Sequence, residues 1–342
     1  MNSSIAVFLG VDGITNGAVY ALVALSLVLV YTTTRVVNVA QGDYLTFGAM
    51  SFASFAAGSL TPLVYLVLGA GAVALALDIG KAMAYRRNPL GPLLKYVAAG
   101  SLLFGLAWGA SHSQSMALQM IAALLLVAAM GPIIYQLTVE PRPGNPPIVL
   151  LTCSVGVTLI LHPLALLIWG SGSMTVAPIS AMRLSLGPVD LAAQSIVIVI
   201  AAVVMTAALF VFFRHSLHGK ALKAASVNRE GALYCGVPVG TVGRLSYFIA
   251  AGMSALSGML LAPLVTANYE MGFVVGLKGF VGAVSGGLVT YPLALAGVFL
   301  VGLFESFSAF FSSAFRDALV FALVIPILLW RNASHGDDLD EH

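Results

Sequence analysis

Residues 192–237 read AAQSIVIVIAAVVMTAALFVFFRHSLHGKALKAASVNREGALYCGV. The first half, 192–213, carries no charge and is long enough to cross a hydrocarbon core as a helix, which takes about 20 residues. The second half then gathers Arg214, Lys220, Lys223, Arg229 and Glu230, in a chain of which only 8% is charged. An apolar span opening into a compact charged element predicts a membrane helix followed by a structured loop outside the bilayer.

The whole composition extends that reading. The 342 residues are 60% hydrophobic, with a mean hydropathy of +1.01, whereas soluble domains are about 45–50% apolar and about 25% charged. The apolar runs lack the alternation of a membrane β-barrel. The expected fold is therefore an all-α membrane protein, a polytopic bundle of about 8–11 helices. Candidate spans lie near 12–33, 43–59, 62–78, 95–111, 116–137, 148–169, 192–213, 246–266, 273–289, 292–312 and 317–331. Two connections, 59–62 and 289–292, are so short that one neighbour of each is open to being re-entrant. The first apolar segment lacks a small-residue cleavage site and reads as a retained helix. Cys153 lies in an apolar run and Cys235 in the charged loop, so no disulfide is expected.

Cytoplasmic loops carry an excess of Lys and Arg. Threading with the C-terminus inside puts Arg35, Lys81, Arg86, Arg87, Lys95, Arg142, Arg214, Lys220, Lys223, Arg229, Arg244 and Arg331 in the cytoplasm. Of the fifteen Lys and Arg, only Arg183, Lys278 and Arg316 fall on the other side. The expected layout is one transmembrane domain over 1–331, a cytoplasmic loop over 214–245 and an acidic cytoplasmic tail over 332–342. Residues 170–191 read as an ordered outside loop, punctuated by Gly, Ser and Pro.

Within the charged loop, Gly219 and Gly236 bracket a helix–turn–helix. Asn228 is a good N-cap for a second, short helix starting at Arg229. Glu230 then lies in that helix's first turn, where the dipole favours a carboxylate. Gly236 suits the left-handed position after the last turn, and Pro238 follows as a stop. So short a helix is marginal alone and needs something to pack on. Ala232, Leu233 and Tyr234 supply apolar surface for a partner's groove; the plainer reading is a basic loop that only fixes topology.

The stretch ALKAASVNREGALYCGV, 221–237, resembles the cytoplasmic loop of ABC importer permeases, in the form found in the branched-chain amino acid permease family, roughly ALRAxxxNxxAAxxxGI. Gly231 stands where that family usually has Ala, and glycine costs a helix interior about 1 kcal/mol relative to alanine. Two further stretches resemble the same family. NGAVYALVALSLVLVYTTTRVVNVAQGDYLTFGA, 16–49, is similar to NGxxYALxALGLxLIYGxxxVxNFAHGExxxxGA, with Gln41 in place of His and Asp43 in place of Glu. LKGFVGAVSGGLVTYPLALAGVFLVGLFES, 277–306, is similar to KAFxAAVLGGxGSxxGAxxGGxxLGxxES, with Lys278, Gly286, Gly287, Gly297, Gly302, Glu305 and Ser306 matching. Residues 139–173 show a weaker likeness. Residues 79–115, with the basic loop KAMAYRRNPLGPLLK, depart from the pattern and read as an added hairpin, facing a partner or anionic lipid.

The resemblance implies the membrane permease subunit of an ATP-driven importer, multi-pass in a bacterial inner (cytoplasmic) membrane. It implies P-loop ATPase subunits, a second similar permease as heterodimer or homodimer, and an extracytoplasmic solute-binding protein. Lys220, Asn228, Arg229, Glu230, Ala232 and Gly236 would couple to the ATPase. The implied cargo is branched-chain or other apolar amino acids; urea, short amides or small carboxylates are the alternative, and a secondary transporter built on Lys278 and Glu305 is a further one.

Two polar features inside the bundle carry the transport reading. Asn38, Gln41 and Asp43 break an apolar run at a membrane boundary, and such groups usually face the protein interior or a water-filled path. They read equally as gate or path lining and as a re-entrant turn satisfying its own backbone. Lys278 and Glu305 lie at similar depths in neighbouring spans and are expected to pair, either to lock two helices or to line the path. The chain contains no G-x-x-x-x-G-K-[ST] sequence, so ATP is expected to be hydrolysed by a partner, and no cofactor is expected here. His112, His162, His215 and His218 show no metal-ligand spacing, and no Gly-x-Ser-x-Gly occurs, so no metal site, catalytic residue or enzyme activity is expected. No nucleic-acid partner is expected either.

Overall fold

The computed structural model describes residues 3–84, 88–140, 146–179, 182–186, 189–288, 290–323, 325–327 and 329. Arg86, Arg87, Arg142, Arg331 and the acidic tail lie outside them. The helices are α1 (Ser3–Thr34), α2 (Gln41–Ala56), α3 (Leu63–Ala84), α4 (Leu90–His112), α5 (Met116–Thr138), α6 (Pro147–Trp169), α7 (Ala193–His215), α8 (Leu217–Val227), α9 (Arg229–Tyr234), α10 (Val239–Leu261), α11 (Met271–Ser285), α12 (Tyr291–Phe311) and α13 (Arg316–Ala322). One antiparallel hairpin, β1 (Arg183–Leu186) with β2 (Val189–Ala192), lies in the loop before α7.

Each expected span overlaps a helix among the described residues, but they are not equivalent. Among the described residues, eight helices are long and apolar enough to cross a membrane: α1, α3, α4, α5, α6, α7, α10 and α12. The others are α2 with 16 residues, α11 with 15 and α13 with 7. Both short connections thus flank a helix too short to span, α2 before one and α11 before the other.

Apart from α8 and α9, successive helices alternate in direction. One end, called the coupling end after the expectation from sequence, holds α8, α9, the Arg35 turn and the Arg244–Glu140 contact. The opposite end holds the β-hairpin and a backbone bridge between Met174 and Ala267. α1 is apolar all round and buried at the centre, as such a helix should be. It runs alongside α7, α10, α11 and α12, whereas α4 and α7 expose most of their surface.

α2 starts inside the bundle. The Gln41 side chain accepts from Ser254 (2.8 Å) and Ser26 (3.3 Å), residues about two turns inside the C-terminal ends of α10 and α1. α1 ends at Arg35, which takes the left-handed conformation with φ 57°. From Arg35 back to the level of Ser26 is nine residues of helix, about 13 Å. The six steps from Arg35 to Gln41 reach roughly 20 Å when extended, so the lead-in can climb that far. Ser154 of α6 accepts from the Val39 amide (2.8 Å) and donates to Asn38 Oδ1 (3.3 Å). Non-helical backbone at depth survives only when protein satisfies it in this way. Gly42 then lies so close to Gly272 and Gly276 of α11 that neither side of the crossing has room for a Cβ.

Candidate coupling unit and translocation site

The coupling end is built from one tight elbow. α7 ends at His215, and Ser216 both stops it and caps α8, its hydroxyl accepting from the Gly219 amide at 2.8 Å. Gly219 therefore does not bracket the element, as expected from sequence. It sits in the first turn of α8 with the Phe212 carbonyl pressed against it, where a side chain would not fit. α8 buries Leu222 and Ala225 and exposes Lys220 and Lys223.

α9 has both expected stops. Asn228 Oδ1 accepts from the Gly231 amide at 2.9 Å. At the other end Gly236 has φ 79°, its amide reaches Leu233 O (3.0 Å), and the Val237 amide reaches Ala232 O (2.9 Å). Those two bonds are the Schellman pattern. The face α9 offers differs from the expectation in one residue. Ala232 is buried against the protein's own core, so it seats the helix rather than meeting a partner. Arg229, Glu230, Leu233 and Tyr234 point outward, and Tyr234 is 91% exposed. With Leu217 and Val227 also bare, this is an apolar surface with charges beside it, the form a docking site takes.

Arg35 connects this unit to the interior. Its guanidinium donates to Ser226 O at 2.9 Å, near the end of α8. The same residue's left-handed backbone starts the climb toward Asn38 and Gln41. A non-glycine residue held there marks strain worth explaining.

Around that lead-in the bundle is under-satisfied. Among the described residues, seven buried side-chain atoms find no hydrogen-bond partner: Asn38 Nδ2, Gln41 Nε2, Asp43 Oδ2, Tyr44 Oη, Ser51 Oγ, Thr158 Oγ1 and His162 Nδ1. All lie on α2 and its lead-in or on α6. The Thr158 hydroxyl lies beside the Asp43 carboxyl and the Asn38 amide beside the Tyr44 hydroxyl, without making aligned bonds. His162 Nδ1 is 3.7 Å from Asp43 Oδ1, too long for a hydrogen bond. The His162 ring is flanked by Tyr269 and Phe273, with centroids 5.7 and 6.0 Å away. From sequence this histidine was one of four unremarkable ones. Only the parallel run of α2 and α6 brings it to Asp43.

Lys278 and Glu305 do meet, at 2.6 Å, and both are nearly fully buried. Three partners were not legible. Tyr20 Oη donates to Glu305 Oε2 (2.6 Å), Asp317 Oδ1 lies 2.8 Å from Lys278 Nζ, and Arg316 lies 3.5 Å from Glu305. Four helices, α1, α11, α12 and α13, are thus tied at one point. Burial alone would raise the Asp317 carboxyl, but the bond to Lys278 and the charges of Lys278 and Arg316 hold it below its ordinary range.

A further network closes the coupling end around the 79–115 segment. Arg244 contacts Glu140 (2.8 Å) and Asp78 (3.4 Å), and Lys81 reaches Glu140 (3.1 Å). Tyr96 of α4 donates to Gln136 Oε1 at 2.6 Å. Burial works to raise the Glu140 carboxyl, yet Arg244 and Lys81 keep it lowered.

A polytopic helical membrane protein with a self-capped pair of short helices at one end and a polar interruption at depth is the class these features define. The chain matches the family described as "Branched-chain amino acid transport system / permease component" over residues 10–328, and it belongs to that family. It is 26% identical over 325 residues to the high-affinity branched-chain amino acid transport system permease protein LivH of Escherichia coli K12, covering 93% of this chain and 91% of the relative. LivH of Salmonella typhimurium is also 26% identical over 325 residues. BraD of Pseudomonas aeruginosa, a permease protein of the same named system, is 24% identical over 328 residues, covering 94% and 92%. No solved structure matches the chain.

Proposed function

We propose that the chain is the membrane permease subunit of an ATP-driven importer for branched-chain or other apolar amino acids in a bacterial inner membrane. Its partners are P-loop ATPase subunits at the coupling end, a second similar permease, and a solute-binding protein at the opposite face. The family membership and the names of the relatives support the cargo class.

The observation that carries the mechanism is the Arg35–Ser226 contact of 2.9 Å. Motion of an ATPase docked on Leu233 and Tyr234 moves α9 and α8. Arg35 passes that motion to the lead-in of α2, and so to Asn38, Gln41 and Asp43. The under-satisfied face of α2 and α6 is where water and a polar solute gain hydrogen bonds as the path opens. In this mechanism Lys278 and Glu305 anchor the helices against which α2 moves. Lys220, exposed on α8, and Glu230, in the first turn of α9, meet the ATPase electrostatically. Co-purification of the ATPase subunit with full-length permease carrying Leu233→Ala and Tyr234→Ala tests the docking step. The reading predicts loss of the complex with the permease still monodisperse; an intact complex would overturn it.

A further inference from the structure

Two large clefts open at the coupling end, and their charges differ. One, of about 760 Å³, lies between α3, α4 and α5; its Arg244 is held by Glu140 and Asp78, which leaves Lys95 as its single cation without an ion pair among the described residues. The other, of about 670 Å³, lies between α1, α7, α8 and α12. Its deep walls are apolar, formed by Leu25, Leu209, Phe213 and Leu295. Arg214 and Lys223 stand in its lining, both exposed, and no carboxylate lines it. Neither cation forms an ion pair among the described residues.

We propose that this second cleft binds an anionic phospholipid, with an acyl chain against the apolar wall and the phosphate between Arg214 and Lys223. The volume falls in the range of ligand sites, about 300–1,000 Å³. The occupant has to be apolar at one end and anionic at the other. It also has to arrive from the bilayer, because the cleft opens beside α7, whose Val203, Phe210 and Val211 are bare. Basic residues at a membrane boundary attract anionic lipid in this way. A soluble anion would leave the apolar wall wet, and a partner's helix would leave the two cations unpaired unless it carried acid at that depth. The bound lipid touches α8 through Leu222 and Lys223, so it braces the coupling unit against α7 and α12. The site is independent of which solute is carried.

The test is native mass spectrometry of delipidated full-length permease titrated with phosphatidylglycerol or phosphatidylethanolamine of identical chains. One tightly retained phosphatidylglycerol is expected, with phosphatidylethanolamine weaker. Arg214→Gln with Lys223→Gln should weaken retention by roughly fivefold per charge, about 25-fold for the pair. Leu295→Trp, which fills the wall and leaves both charges, should weaken it as well. Lys95→Gln, at the other cleft, should change nothing. Equal retention of the two lipids, or an unchanged double variant, would overturn the proposal. So would displacement by inorganic phosphate, which would indicate a soluble anion. Exclusion of the lipid once the importer is assembled would do so too, by assigning the cleft to a protein partner.

Discussion

Two buried polar clusters interrupt this apolar bundle, and they differ in how far their atoms are satisfied. Around Lys278, both oxygens of Glu305 are engaged, by Lys278 at 2.6 Å and by Tyr20 at 2.6 Å. Along α2 and α6, seven buried polar atoms lack protein partners, and His162 stops 3.7 Å short of Asp43. A saturated cluster holds one arrangement, because any motion breaks bonds that have no replacement in an apolar surrounding. An unsaturated one costs the resting state little more when it moves, and it gains when water or solute arrives. One cluster is therefore built as a lock and the other as a place that changes.

That contrast can be broken most sharply at the lock. Glu305→Gln leaves Lys278 with only the half-exposed Asp317, 2.8 Å away; breaking a buried pair outright costs about 3–5 kcal/mol, which is the upper bound here. Thermal denaturation of the purified permease should show a large loss of stability or no folded protein. Replacing both residues, Lys278→Met with Glu305→Gln, should recover much of it. At the other cluster, Asp43→Asn keeps shape and should leave thermal stability nearly unchanged. Import should fall, since the change replaces an acceptor oxygen by an amide donor, and a hydrogen bond lost there is about 0.5–1.5 kcal/mol, up to roughly tenfold in apparent affinity. Equal destabilisation by the two substitutions would erase the distinction.

Smaller effects sharpen it. Asp317 titrates below its ordinary range because Lys278 and Arg316 hold the carboxylate. A depressed pKa contributes stability that is present above the unfolded value and lost as pH falls through the folded one. Melting temperature should thus drop on acidification below the ordinary aspartate range, and Asp317→Asn should flatten that part of the profile. At the docking unit, Asn228→Ala removes a cap and should cost about 1 kcal/mol of local helix stability, read by amide exchange at Gly231. Gly231→Ala is the mildest change. It gains up to about 1 kcal/mol of helix propensity, while its new Cβ meets Asn228 Cγ at 3.2 Å. ATPase co-purification should be unchanged or slightly improved.

The sequence made some of this legible and hid the rest for identifiable reasons. Helix positions followed from apolar runs, and the α9 stops from Asn228 and Gly236, because both are local rules. The Lys278–Glu305 contact followed from depth, since two isolated charges in neighbouring spans have few alternatives. Asp317 and Arg316 were missed because they stand at the start of a different helix, and depth in the two neighbouring spans alone did not point to it. His162 was missed because its partner lies on a helix more than a hundred residues away. Ala232 was misassigned to the partner face because six residues give too little periodicity to tell which side is buried. Gly219 was misread as a boundary because Ser216, not glycine, ends the preceding helix.

The central claim is that Arg35 carries motion from α8 to the α2 lead-in. Arg35→Ala in the full importer, reconstituted with its ATPase and binding protein, tests it directly by measuring ATPase association and solute import together. The account predicts an intact complex with import largely lost. An intact complex with undiminished import would contradict it.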